Sequence, residues 1–148
     1  MKNILKFFLL CIIIAGLTGT AKAEVWQEIH HPDYETDKSV TCLYDSESFK
    51  QIDDATYSVN IKAQYSDEFG EMVGEERQLP VPPSYFISTY IFNYKDKTYT
   101  ALNAIFYDKN DNKIFQRDYS DEMAPFHLDL TEDMFNATFF YFNKYYRA

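Results

Sequence analysis

The sequence predicts an α+β fold: a mainly antiparallel sheet of five or six strands with one amphipathic helix at the C-terminal end. Three observations carry that prediction. Apolar and polar residues alternate in short runs across residues 25–119. A helical stripe of about four turns closes the chain. Every proline after residue 23 falls between the runs, as expected because proline cannot donate to a ladder. One packed domain fits the composition, since 46% of the 148 residues are hydrophobic and 18% aromatic, enough apolar surface to bury.

The chain opens MKNILKFFLLCIIIAGLTGTAKA. Lys2 and Lys6 make a positive start, residues 7–17 form an apolar run of 11, and Ala21 and Ala23 give the small-x-small pattern of a cleavage site. This predicts a cleaved signal peptide over residues 1–23 and a single β-rich domain over 24–148, exported to the periplasm or secreted. Eleven helical residues extend about 16 Å, roughly half the hydrocarbon core, so no transmembrane segment is expected after signal cleavage. Cys11 follows the bulky Leu10 rather than a small residue, and it reads as a hydrophobe of the signal helix rather than a lipidation site.

Without Lys2, Lys6 and Lys22 the chain holds 11 basic and 23 acidic side chains, a net charge of −12. Such a field repels phosphate backbones, so nucleic acid is not an expected partner.

Residues 25–29 (VWQEI) alternate as a half-buried first strand, and His30-His31-Pro32-Asp33 break it. Residues 40–44 (VTCLY) read as a second strand, followed by a turn at Asp45-Ser46-Glu47-Ser48, whose short polar side chains compete for backbone donors. Residues 56–65 are the cleanest strand. Tyr57, Val59, Ile61, Ala63 and Tyr65 lie on one face, with Ser58, Asn60, Lys62 and Gln64 on the other.

Residues 67–83 (DEFGEMVGEERQLPVPP) hold five acidic residues, Gly70, Gly74 and three prolines. They read as an acidic solvated connection, shortened at most by a hairpin around Gly70 or Gly74, with a partner-binding loop as the sharper alternative. Residues 85–93 and 97–107 are β-rich runs on either side of Tyr94-Lys95-Asp96. Residues 108–113 make a hairpin turn of Asp and Asn, and residues 114–119 complete a three-strand meander. In the tail, Thr131 is the expected N-cap, with Glu132 and Asp133 in the positive first turn. Met134, Phe135, Thr138, Phe139 and Phe142 form the buried stripe, and Lys144 and Arg147 sit near the C-terminal end.

Chemistry-bearing patterns are few. Asp108, Asn110 and Asn112 match the first positions of a calcium loop, but Lys113 stands where the sharp turn needs glycine and Tyr119 where a bidentate carboxylate is needed. His30, His31 and Asp33 make a weak zinc candidate, and His127 is the remaining histidine. Cys42 is the one cysteine after the signal; it reads as a buried structural thiol, with an intermolecular disulfide as the alternative. No nucleophile elbow and no phosphate-cradling glycine loop is present in the sequence. Asn136-Ala137-Thr138 matches a glycosylation sequon by chance, inside the expected helix. The expectation is therefore no metal, no cofactor and no enzymatic activity. Of the 125 residues after the signal, 25 are aromatic; most fill the core, while tyrosines on the outer face of the sheet would make a rigid contact surface.

The order of these segments resembles the surface-adhesin protein E family of small exported bacterial proteins. The resemblance rests on the tryptophan strand at 25–29, Tyr44-Asp45-Ser46-Glu47-Ser48-Phe49, the alternating strand 57–65, Lys97-Thr98-Tyr99, the strand ending Phe106-Tyr107-Asp108-Lys109-Asn110, and the C-terminal helix. It implies a single antiparallel sheet with helical segments, and a namesake that binds host extracellular-matrix components at the outer surface. The chain departs from the family at two cysteines. Tyr94 stands before Lys97, and Tyr145 and Tyr146 stand at the C-terminal end, so aromatic packing would replace a bridge. The namesake's lipid anchor also has no counterpart here. The function expected is an exported non-enzymatic binding module, adhesin-like, contacting a protein or peptide ligand through a sheet face or edge. Its acidic segment 67–77 would steer basic partners. The alternative is an acidic inhibitor of a cationic enzyme such as a lysozyme.

Overall fold

The computed structural model describes residues 24–29, 39–119, 124–125 and 130–146. The expected signal segment and the candidate zinc residues His30, His31 and Asp33, with His127, lie outside the described residues. In chain order the strands are β1 (Trp26–Glu28), β2 (Val40–Asp45), β3 (Lys50–Gln51), β4 (Thr56–Tyr65), β5 (Tyr85–Asn93), β6 (Thr98–Ala101), β7 (Asn103–Tyr107), β8 (Lys113–Asp118) and β9 (Ala124–Pro125). Helix α1 (Asp67–Glu76) lies between β4 and β5, and α2 (Leu130–Tyr145) ends the chain.

The fold is α+β, as the alternation predicts. All strands belong to one antiparallel sheet with the order β1-β2-β4-β5-β6-β9; β3 pairs with β4, and β7 joins β5 to β8. The centre is β4, whose alternation puts Tyr57, Val59, Ile61 and Ala63 in the core. Its neighbours follow from the register: Cys42 and Tyr44 of β2 oppose Ala63 and Ile61, and Phe92 and Phe86 of β5 oppose Tyr57 and Ala63. Antiparallel partners share a face, so these side chains build one continuous apolar surface.

Both helices cover that surface. On α2, Met134, Phe135 and Phe142 are buried while Phe140 is 70% exposed, the one-sided stripe expected of an amphipathic helix. The Phe142 ring stacks on Tyr57 at 4.5 Å, and Phe135 meets Phe92 at 5.9 Å. Between them Thr138 donates its hydroxyl to Met134 O at 2.6 Å, which leaves Thr138 Oγ1 to accept from Tyr57 Oη at 2.9 Å. That buried bond fixes the helix at one height over the sheet. Past the helix, Tyr146 Oη donates to Ser46 O at 2.7 Å. Tyr94 packs on Phe139 at 5.1 Å and Tyr146 on Phe49 at 5.3 Å, so aromatic contacts tie both tyrosines into the helix–sheet interface. The helix begins at Leu130, so Thr131 lies in its first turn rather than at the cap, a shift of the size that helix ends commonly show.

Residues 67–76 correct the expectation of an acidic loop or hairpin, because they are helical. Ser66 caps the helix, accepting from Phe69 N at 3.2 Å, and Asp67 and Glu68 place negative charge in the first turn. At the other end Leu79 N donates to Gly74 O and Gln78 N to Glu75 O, with Gln78 left-handed at φ 54°. This is a Schellman closure with glutamine in the glycine position. The two glycines that argue against a helix are there for close approach. A Cβ at Gly70 would stand 2.3 Å from Pro83 O, and one at Gly74 3.2 Å from Pro82 Cα. Helix propensity is given up so that the helix can lie on the Pro82–Pro83 backbone.

Two further differences concern the strands. The run 97–107 is interrupted at Leu102. Tyr90 pairs with Ala101 and Ile87 with Ile105, so Leu102, Asn103 and Ala104 oppose only Ser88 and Thr89. The extra residue is a bulge, held by Leu102 N donating to Thr89 O at 2.9 Å and Thr89 N to Asn103 Oδ1 at 3.2 Å. In addition Pro125 lies in a strand, contrary to the expectation that all prolines fall outside them. It sits in the two-residue β9 at the end of the sheet order, where its missing N–H costs no central ladder bond.

Two substitutions test this account of α1 by urea unfolding monitored through far-UV circular dichroism. Gly70→Ala is expected to lower stability by about 1–3 kcal/mol despite alanine's higher helix propensity, because the methyl meets backbone. Gln78→Gly is expected to raise stability by about 1 kcal/mol by relieving the left-handed side chain.

Candidate functional site

With both helices on one face, the alternate residues of the same strands are left on the other. The register aligns Glu28, Leu43, Lys62, Ile87, Ile105 and Gln116 in one row across β1, β2, β4, β5, β7 and β8. The adjacent row includes Gln64, Tyr85, Tyr107 and Lys113. Leu43, Ile87 and Ile105 are half-buried by their strand neighbours, and no described helix covers them.

An aromatic ladder crosses this face. The Lys62 ammonium lies 4.0 Å from the Tyr85 ring centroid and 5.7 Å from that of Trp26. Tyr85 in turn stacks on Tyr107 at 4.9 Å and 13°. A cation held between two π-faces gains from the ring quadrupoles, and its stem covers apolar surface. Two of its rings are pinned by carboxylates: Trp26 Nε1 donates to Glu24 at 3.1 Å, and Tyr85 Oη to Asp111 at 2.9 Å. Burial and then the Asp111 bond and charge push the Tyr85 phenol above its ordinary pKa, so it remains a neutral donor. Together with Glu28 and Asp118, these carboxylates put negative charge around the aromatic and aliphatic centre. An apolar centre with a polar rim is the anatomy of a contact surface.

The acidic segment contributes separately. Asp67, Glu68, Glu71, Glu75 and Glu76 are all exposed on α1, on the opposite face of the sheet from the ladder. The expected outer-face tyrosines are therefore Tyr85 and Tyr107. Sequence reasoning missed Lys62 and Trp26 as their partners, because only the register brings β1, β4, β5 and β7 together.

The remaining candidates are accounted for by the fold. Asp108 accepts from Asn110 N at 2.8 Å and Asn112 N at 2.9 Å, and from Asn112 Nδ2 at 3.0 Å. Its carboxylate closes the hairpin turn, and the Asn112 bonds hold its pKa below the ordinary range. Among the described residues no group of three or more His, Cys, Asp or Glu is placed to hold a metal, and no helix is long and apolar enough to cross a membrane. Thr138 of the sequon is fully buried in α2. Cys42 is a free thiol, 5% exposed, and burial pushes its pKa from an ordinary 9.0 to about 11. Comparison with family models, with curated proteins and with solved structures gives no match.

Cys42 generates a prediction with a definite sign. The thiol is neutral when protonated and its folded-state pKa is raised, so its contribution to stability is complete below pH 9 and is lost as pH rises towards 11. Tyr57 and Tyr65, whose phenols burial also raises, extend the loss further into the alkaline range. The urea midpoint is expected to stay flat from pH 7 to about pH 9 and then to fall. Cys42→Val is expected to remove the first part of that fall, on the order of 2 kcal/mol. Cys42 in the folded protein should also resist an aromatic disulfide reagent at pH 8 and react within the mixing time in denaturant; rapid reaction when folded would show that the thiol is not buried.

Proposed function

We propose that this chain is an exported, non-enzymatic binding module that contacts a protein or peptide ligand on the open face of its sheet. The single observation that carries the reading is the Trp26–Lys62–Tyr85–Tyr107 ladder on the face opposite both helices. Rigid aromatic side chains lose little entropy on contact, and a stacked row desolvates easily as a unit. The carboxylates around it favour a ligand that offers basic groups to the rim and an apolar or aromatic segment to the centre. Adhesion to host matrix proteins, which the sequence resemblance implies, is one version of this function. Export follows from the leader pattern in residues 1–23.

The second reading is an acidic inhibitor of a cationic enzyme such as a lysozyme. It is favoured by a different observation, the five exposed carboxylates along α1 and a net charge of −12 after the leader. The two readings use opposite faces, so substitutions separate them.

The test is capture of purified host matrix proteins and of a basic lysozyme by immobilised residues 24–148, at low and at moderate salt. For the open-face reading, a matrix protein binds saturably, and Trp26→Ala with Tyr107→Ala weakens it about tenfold or more while salt weakens it modestly. For the inhibitor reading, lysozyme binds with steep salt dependence, and neutralising Glu71, Glu75 and Glu76 abolishes binding while the ladder variant does not. Failure of every purified protein to bind saturably at either salt concentration would sink both.

A further inference from the structure

The helix-covered face has a gap. Helix α1 covers the end that carries Phe106, and α2 covers the end that carries Tyr57 and Phe92. Between them lies a cleft of about 230 Å³ lined by Tyr65, Phe86, Tyr90, Ala104, Phe106 and Tyr119, with Arg77, Ser88 and Ala101 completing it. The bulge after Ala101 makes this space. By shifting the parity of the strand it brings both Ala101 and Ala104 to the same face, where side chains the size of Tyr99 or Phe106 would fill the gap.

Ser88 donates its hydroxyl to Asn103 O, whereas the phenols of the cleft lack partners of their own. The hydroxyls of Tyr65, Tyr90 and Tyr119 make no hydrogen bond to a described residue, and no described buried polar side-chain atom is left unsatisfied, so these hydroxyls reach the open space. Burial raises the Tyr65 and Tyr90 phenols well above their ordinary pKa, which keeps both as neutral donors. Arg77, set at the C-terminal cap of α1, lies over the Phe106 ring at 5.5 Å. Arg117, paired in register with Ala104, lies over the Tyr119 ring at 5.2 Å. Of the three arginines in the sequence, Arg77 thus lines the cleft and Arg117 stands beside it, next to two of its lining residues, Tyr119 and Ala104. Among the described residues neither arginine is in an ion pair, although five carboxylates line the helix that ends at Arg77.

A lining guanidinium, a second one beside the cleft and phenol donors around a small space with aromatic walls match one ligand chemistry. We propose that this cleft binds a carboxylate carrying a short apolar group, with Arg77 and Arg117 receiving the charge, the tyrosine hydroxyls completing its hydrogen bonds, and Phe86, Phe106, Ala101 and Ala104 housing the apolar part. At about 230 Å³ the space suits a ligand of amino-acid size, below the usual range for drug-sized molecules. Such a carboxylate comes from a free organic acid or from the C-terminus of a peptide. The cleft lies on the opposite face from the aromatic ladder, so it stands or falls independently of the function proposed above.

The test uses the purified protein, isotope-labelled for amide chemical-shift mapping and titrated to millimolar ligand. The probes are isovalerate for a free acid, N-acetyl-leucine for a chain end, and the neutral amide of each. Saturable shifts with one or both acids, centred on Tyr65, Tyr90 and Ala104, are expected, with the amides at least about tenfold weaker. Binding of isovalerate alone identifies a free acid, and binding of N-acetyl-leucine alone a chain end. Arg77→Gln and Arg117→Gln are each expected to weaken binding about tenfold, and Arg77→Lys to restore part of it. Tyr90→Phe should weaken binding severalfold, and Lys109→Gln at the distant hairpin should leave it unchanged. Each variant's amide spectrum shows whether it is folded, and Arg77 and Arg117 are exposed side chains whose replacement leaves the core intact. Equal binding of acids and amides, no saturable shift with either acid, or full affinity in folded Arg77→Gln overturns the proposal.

Discussion

The structure depends on the column of side chains along one face of β4. Tyr57, Val59, Ile61 and Ala63 are essentially inaccessible to solvent, and everything else is arranged to keep them so. Ladder register carries the column sideways into β2 and β5, and α2 seals it from above through the Phe142–Tyr57 stack and the Tyr57–Thr138 bond. A slip of one residue would expose the whole column and bury Lys62 and Asn60 instead, so the pairing is strongly specified. Among the described residues, the same one-sidedness leaves the reverse face without a helix. A sheet that commits its apolar face to a helix layer is free to use the other for contact.

What occupies that reverse face is not simply polar. By the alternation of its strand Lys62 shares a face with Ser58, Asn60 and Gln64, yet its ammonium lies between the rings of Trp26 and Tyr85. The exposed surface therefore has an organised aromatic centre and an acidic surround. The helix-covered face has a second organised region, where the bulge between Ala101 and Ile105 places two alanines under a gap between the helices. In both places the chemistry comes from residues far apart in sequence that are brought together by strand pairing. Neither region requires any change to the core, because each uses positions that the apolar column leaves over.

Legibility of the fold varied with the range of the cause. The strands announced themselves because a half-buried strand writes its alternation directly into consecutive residues, most plainly over 56–65. The C-terminal stripe did the same at helical spacing. Residues 67–76 misled because Gly70 and Gly74 signal a turn by local propensity, whereas they serve a long-range contact with Pro82 and Pro83. The capping signal at Ser66, with Asp67 and Glu68 behind it, was present and could have outweighed them. Asp108 is legible as a turn residue because its partners lie within four positions. Arg77 and Arg117 carried no sequence signal, since nothing local distinguishes an arginine at a cleft from one on a solvated surface.

By itself, then, the sequence determined the α+β class, the central strand, the meander of residues 85–119, the C-terminal helix and the strongly acidic surface. Each of these is encoded by side-chain period, turn chemistry or composition, which act over a few residues or over the chain as a whole. Only the tertiary structure decided that the acidic segment is a helix, that Lys62 joins Trp26 to Tyr85, and that three tyrosines and Arg77 meet around one cleft. Those features depend on strand register and on the single residue inserted after Ala101, and register is a property of pairs of strands that no one strand contains.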